Sequence, residues 1–490
     1  MSALRHRMIN KWSALGSRYL PFADVATAEL PIGRLLRLSL FQVSVGMTLV
    51  LLVGTLNRVM IVELDVPATT VAVMLALPLV FAPFRALIGH KSDTHRSALG
   101  WRRVPFIWKG TLLQFGGFAI MPFALLVLAG AGESASAPPW IGHLAAAVAF
   151  LLVGAGAHTV QTAGLALATD LTPPESQPRV VGLMYVMLLF GMIASALIFG
   201  EILTNFQPGR LVQVIQGAAV VTIVLNGIAM WKQEPRQQAR QRAAMAPDQT
   251  FREAWALFCT GENAVRRLVI VGLGTMAFGM ADILLEPYGG EVLNWTVSAT
   301  TKLTALLALG GLFGFGLASH MNGNGANPYR MALGGAALGI PAFGLVIVSA
   351  PLGISAPFLI GNFLIGFGTA LFGHGTLTAT MRQAPKEQAG LALGAWGAVQ
   401  TTAAGIAMAM SGVVRDVVNA VLGASGTVTS HDAAAGGFIA VYAIEILLLI
   451  VTIAATIPIL RSVMARHGNT PDDDAPLRNT TDIGPQHGAT

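Results

Sequence analysis

Charge is scarce in this chain. Lys, Arg, Asp and Glu make up 11% of its 490 residues, against about 25% in an ordinary soluble domain. So low a content excludes a normally solvated surface over most of the molecule. Cysteine is nearly absent: Cys259 stands alone, which excludes an intramolecular disulfide and a multi-cysteine metal site. The chain has no nucleotide-binding P-loop and no His-Glu-x-x-His zinc motif. Its Gly-x-Gly strings follow no predicted strand, so a dinucleotide fold has no support. Neither an enzymatic activity nor a structural metal is expected. The first 22 residues are polar and basic for too long to read as a short cleavable signal peptide. The formal charge of +6 sits in loops. It is read as topology, and no nucleic-acid partner is expected.

What the chain has is apolar length. Hydrophobic residues make up 54%, with 55 glycines. A membrane-spanning helix needs about 20 mostly apolar residues. That criterion gives twelve spans: 38–56, 69–88, 105–129, 141–168, 180–203, 212–230, 268–285, 300–319, 328–348, 356–378, 391–411 and 436–460. The predicted fold is an all-α membrane protein of two six-helix bundles. The bundles cover 38–231 and 268–460, joined by a polar linker at 232–267. A segment at 1–37 precedes them, and a polar tail at 461–490 is expected to be disordered. Residues 4–20 read either as an amphipathic helix on the membrane surface or as a frayed polar end.

The stretch 89–110 orients the rest. Arg85, Lys91, Arg96, Arg102, Arg103 and Lys109 lie in or beside it, and Asp93 is its one acid. Basic residues flank spans on the cytoplasmic side. With twelve spans and a cytoplasmic N-terminus, 26 of the 30 Lys and Arg fall on that side. Arg58, Arg210, Lys302 and Arg415 fall on the other. Both termini are therefore expected in the cytoplasm. The halves also share a motif. Val66-Pro-Ala-Thr-Thr70 opens span 2 and Val297-Ser-Ala-Thr-Thr301 opens span 8, and each leads into a Leu-Ala-Leu triplet. This supports a duplicated six-helix unit.

Gly89-x-x-x-Asp93 followed by Gly100-Trp-Arg-Arg103 resembles the loop between helices 2 and 3 of the major facilitator superfamily. In that setting Gly89 permits close packing. Asp93 would latch one conformation through a helix N-terminus or an arginine such as Arg102 or Arg103. About four extra residues separate the acid from the arginines here, and Asn324 stands near the equivalent acidic position of the second half. A narrower resemblance lies in 40–68 (with NRVMIVEL), 86–111, 158–173 and 282–295 (with LEPYGG). These stretches resemble the PucC/LhaA family, also called the bacteriochlorophyll delivery family. That resemblance implies an antenna-assembly role in the inner or intracytoplasmic membrane of a photosynthetic bacterium. Bacteriochlorophyll would be bound or delivered, with antenna polypeptides, pigment-synthesis enzymes and membrane lipid as partners. The major facilitator architecture alone also admits a proton-coupled transporter of small solutes, or a scaffold without a pigment site.

Polar groups within spans are functional candidates by default. Asp282 and Glu286 are one helical turn apart, with Pro287 and Gly289-Gly290 expected to break the helix after them. The alternative places Glu286 at the outer surface. Asn57, Arg58 and Glu63 form the corresponding outer cluster of the first half, with Arg58 expected to pair with Glu63 or Glu286. His158 and His374 are the two histidines well inside spans, His143 standing at the very start of one. Imidazole suits the magnesium of a chlorin; the alternative is an interhelix hydrogen bond. Gln161 extends the polar face beside His158. Glu445 is expected to pair with Gln400.

Overall fold

A computed structural model describes residues 31–80, 101–130, 138–173, 176–234, 263–383, 389–424 and 430–468. Gly89, Asp93, Cys259, most of the linker, the N-terminal segment to residue 30 and the tail from 469 lie outside the described residues.

Among the described residues, twelve helices follow in chain order. They are α1 (Ile32–Glu63), α2 (Ala68–Val80), α3 (Val104–Leu128), α4 (Pro139–Asp170), α5 (Gln177–Ile202) and α6 (Pro208–Met230). The second half supplies α7 (Ala264–Glu291), α8 (Val297–Gly323), α9 (Pro328–Leu352), α10 (Ser355–Gln383), α11 (Ala389–Ala424) and α12 (Ser430–Gly468). Eleven are long and apolar enough to cross a membrane; α2 is described only as far as Val80. Helices apolar on every side belong in a membrane or a deep core. Here large apolar side chains such as Phe123, Phe190 and Val421 face outward, as lipid contact demands.

Several helices outrun their predicted spans. The first begins at Ile32, not 38, and α12 reaches Gly468, not 460. Hydropathy marks only what the hydrocarbon covers, whereas a helix continues until its backbone meets a reason to stop.

The packing repeats between halves. In the first half α3 packs on α4, α3 on α6, α2 on α4, and α1 on α5 and α6. In the second, α9 packs on α10, α9 on α12, α8 on α10, and α7 on α11 and α12. Adding six to each number in the first set produces the second. The two large contacts between halves, α2 with α11 and α5 with α8, also exchange under this operation. Glycine sets the closeness of α8 and α10. A Cβ at Gly310 would lie 2.0 Å from the Phe363 carbonyl oxygen, and one at Gly366 2.0 Å from that of Leu307. No other residue fits at either position.

Candidate functional site

The site begins where α1 and α7 cross. Proline at position 287 would clash with the carbonyl of residue 283 in a continuous α-helix, and it offers that carbonyl no N–H. The chain accordingly stops its α-helix at Gly279, takes a 3-10 turn over Ala281–Ile283, and restarts at Leu285. Pro287 then sits in the first turn of the new segment, where its missing N–H is harmless. The break thus contains Asp282 and precedes Glu286, instead of following both. Gly289 and Gly290 lie inside the restarted helix, Leu285–Glu291. The Ile283 carbonyl, freed by the break, accepts a 2.6 Å hydrogen bond from Asn57 Nδ2. The helix that supplies Asn57 is itself irregular, with π-helical turns at Val50–Leu56 and Val59–Glu63, a geometry common at functional sites.

The break also separates the two acids. Glu286 is 4% exposed, which overturns its placement at the outer surface. It turns toward α1 and α8 and accepts a hydrogen bond from Thr304 Oγ1. Space for it exists because position 54 is glycine: a Cβ there would lie 2.4 Å from Glu286 Oε1. Arg58, also buried, pairs with Glu63 and not with Glu286, and donates to the Trp295 carbonyl at 3.1 Å. Thr55 and Thr301 meet at 3.3 Å across the same crossing. The second Val-x-Ala-Thr-Thr motif thus ends at the seam between the halves.

Asp282 instead faces a cavity of about 260 Å³ between the halves. Its wall includes Leu79 of α2, His158 of α4, Thr275 of α7, Phe372 of α10, and Gln400 and Thr401 of α11. His158 and Asp282 are the titratable side chains of this wall among the described residues. His374 does not join them. Its ring stacks on Phe315 of α8 at 5.0 Å, and Nδ1 meets Thr378 Oγ1 at 3.4 Å. It is an interhelix packing group. Gln161 is half-buried on α4 and lies outside the cavity wall. Glu445 is fully buried on α12 and makes no hydrogen bond to Gln400; the expected pair does not form, because Gln400 faces the cavity.

A second polar centre holds the opposite end of the first half. Arg102 and Arg103 both pair with Asp170, the last residue of α4. Glu234, just past α6, accepts from the backbone N–H groups of Arg102, Arg103 and Val104 at 2.8–3.0 Å and so caps α3. Arg34 of α1 binds the side chain and carbonyl of Gln233. Sequence reasoning found the two arginines but missed Asp170 and Glu234. Asp170 carried a signal: an acid at a helix C-terminus opposes the macrodipole and needs a cationic partner. In the second half an amide stands where the first has a carboxylate: Arg382 donates to Asn322 Oδ1 at 2.5 Å, and Asn324 contacts His320.

The family model described as PUCC protein matches residues 55–464. Protein PucC of Rhodovulum sulfidophilum is 63% identical over 85% of this chain and 92% of its own length. Protein PucC of Rhodobacter capsulatus is 60% identical over 91% of this chain and 96% of its own. A protein named bacteriochlorophyll synthase 44.5 kDa chain, from the same species, is 28% identical over 76% of this chain and 85% of its own. Among solved structures, a bacterial homologue of the lysosomal transporter Spinster, inward-facing and unoccupied, superposes with a TM-score of 0.65. It is 14% identical and covers 88% of this chain and 97% of its own. The POT family transporter PepTSo superposes at 0.61, with 13% identity and coverage of 89% and 99%. These likenesses show the fold.

Proposed function

Because the chain belongs to the PUCC protein family, we propose that it serves the assembly of light-harvesting antenna complexes by binding bacteriochlorophyll in the membrane and passing it to antenna polypeptides. The observation that carries the reading is the cavity between the halves, apolar over much of its wall and holding one imidazole, His158, near one carboxyl, Asp282. A chlorin asks for an apolar slot with one or two polar anchors. The His158 imidazole would hold its magnesium there as a neutral nitrogen ligand. No covalent step is required of the protein, so the reading is of a carrier and not of an enzyme. Pigment-synthesis enzymes are proposed as the donors, in keeping with the 28% identity to a relative named for bacteriochlorophyll synthase.

At about 260 Å³ the cavity is below the usual 300–1,000 Å³ or so of ligand pockets. A pigment therefore requires the halves to part. The α1–α7 crossing and the α2–α11 contact close one end, so loading is proposed from the end that carries Arg102, Asp170 and Glu234. In the proposed orientation that end faces the cytoplasm of a bacterial inner membrane.

The test is purification of the full chain from pigmented membranes. His158→Leu should lose the co-purified far-red absorbance and lower antenna yield while protein level holds. His374→Leu should keep both, since His374 packs against Phe315. Pigment and antenna unchanged in His158→Leu would reject the cavity as the pigment site. Proton-driven solute flux in pigment-free proteoliposomes would instead favour a small-solute transporter.

A further inference from the structure

We propose that Glu445 and Asp282 form a proton-binding site between α12 and the break in α7, reached from the central cavity through Asp282. The starting observation is an orphan. Glu445 is completely buried in the middle of α12, and neither carboxyl oxygen completes a hydrogen bond among the described residues. Its carboxyl points at the backbone of Ala281 and lies within electrostatic reach of Asp282. The second observation is independent of the acids. Tyr442, one turn earlier on α12, is also fully buried beside Glu445, and among the described residues its hydroxyl too has no hydrogen-bond partner. Two adjacent unsatisfied polar groups at the same depth are rare in folded proteins. Packing alone would be met by leucine or methionine.

Among the described residues, no cation is paired with Glu445. Arg415 lies over Phe438 and is held by Glu291 and Asp416. Phe438 is seven residues from Glu445, about 10 Å along the helix. Arg266 donates to the Ala455 carbonyl, about 15 Å away in the other direction. Across from Tyr442, Tyr288 is engaged with Val346 and Ser349. From α11, Gln400 faces the cavity and carries no charge. A bare carboxylate in this setting carries a large desolvation cost. A bound proton removes the charge with a single O–H bond. A hard metal ion would ask for about six oxygen ligands, and among the described residues no three His, Cys, Asp or Glu side chains converge.

Two neighbouring carboxyls titrate as a coupled pair, here with one member buried and one on the cavity wall. The proton enters from water at Asp282 and resides on Glu445. Its departure by the same route leaves a negative charge against the 3-10 turn of α7. The site thus ties the charge of α12 to the geometry of the break, whatever fills the cavity.

The test uses the full chain in lipid nanodiscs. Infrared difference spectra across an acid-to-alkaline titration should show a protonated-carboxyl C=O band that disappears in two steps. Glu445→Gln, which keeps the shape of the protonated acid, should remove the buried component. Asp282→Asn should reduce the titration to one step. If Glu445→Gln fails to fold, the wild-type chain treated with dicyclohexylcarbodiimide should still carry an adduct on the Glu445 peptide, decreasing as pH is raised. A band unchanged by Glu445→Gln, or no band and no adduct at any pH, overturns the proposal. Protection of Glu445 by sodium at fixed pH would make this an alkali-cation site and would equally overturn it.

Discussion

Ile283 owns a carbonyl that no residue of its own helix can satisfy, because Pro287 stands four positions later. Asn57, from the other half of the chain, satisfies it. NRVMIVEL and LEPYGG were both legible in the sequence as unusual motifs, but their meeting was not, since 226 residues separate donor from acceptor. The sides taken by Asp282 and Glu286 were also illegible. A four-residue spacing places two groups on one face only if the helix is continuous, and here the turn between them is not. His374 went astray for a related reason: position within a span does not tell which neighbour a ring faces. Gly54 tests the local geometry. Gly54→Ala should push Glu286 off Thr304 and cost about 1–3 kcal/mol, the range for forcing one extra carbon into a packed site. Gly33→Ala, where an added Cβ meets nothing within 4 Å, should leave thermal unfolding of the purified protein unchanged. Equal unfolding temperatures for the two variants would mean that the Glu286 pocket relaxes freely.

At the scale of elements, α3 starts without a side-chain cap of its own, and Glu234 from beyond α6 takes that part. One carboxylate meets three N–H groups and the positive end of the helix dipole. Glu234→Ala should therefore lower stability by about 1–2 kcal/mol, the worth of a strong cap. Glu234→Gln keeps an acceptor and should lose roughly half as much. Thermal unfolding of the purified variants checks both, and an alanine variant as stable as the wild type would remove the clasp between α3 and α6. The helices themselves were easy to read, because each is apolar enough around its whole circumference. Their ends were not. Arg34 and Arg37 looked like loop residues flanking a span, yet both lie in α1, where Arg34 reaches Gln233. The unwinding of α7 was legible in Pro287 as an event but was placed one turn late.

At the scale of the molecule, side-chain contacts between the described residues shut one end of the seam between halves. Of the contacts that shut it, three can be ranked. Lys302 and Glu201 form an exposed ion pair at 3.1 Å, and such pairs are worth about 0–1 kcal/mol. Asp416 of α11 accepts from the Thr69 backbone N–H at the start of α2, at 2.7 Å, and a hydrogen bond to a charged group is worth about 1.5–3 kcal/mol. Arg58 donates to the Trp295 carbonyl from a buried position. The Asp416 contact should therefore control opening more than the exposed pair does. The single cysteine makes this measurable, since Cys259→Ser gives a cysteine-free background. Thr301→Cys then places a probe at the closed seam, where Thr301 is fully buried. Asp416→Ala should raise its labelling by a membrane-impermeant maleimide about tenfold or more, by the relation of about 1.4 kcal/mol per factor of ten. Lys302→Ala should change it less than about fivefold. The side of the membrane from which labelling occurs tests orientation as well. In the orientation proposed from the basic residues the Thr301 end would lie in the periplasm, so intact spheroplasts should label and inverted vesicles should not. Labelling confined to inverted vesicles would reverse the orientation inferred from the basic residues.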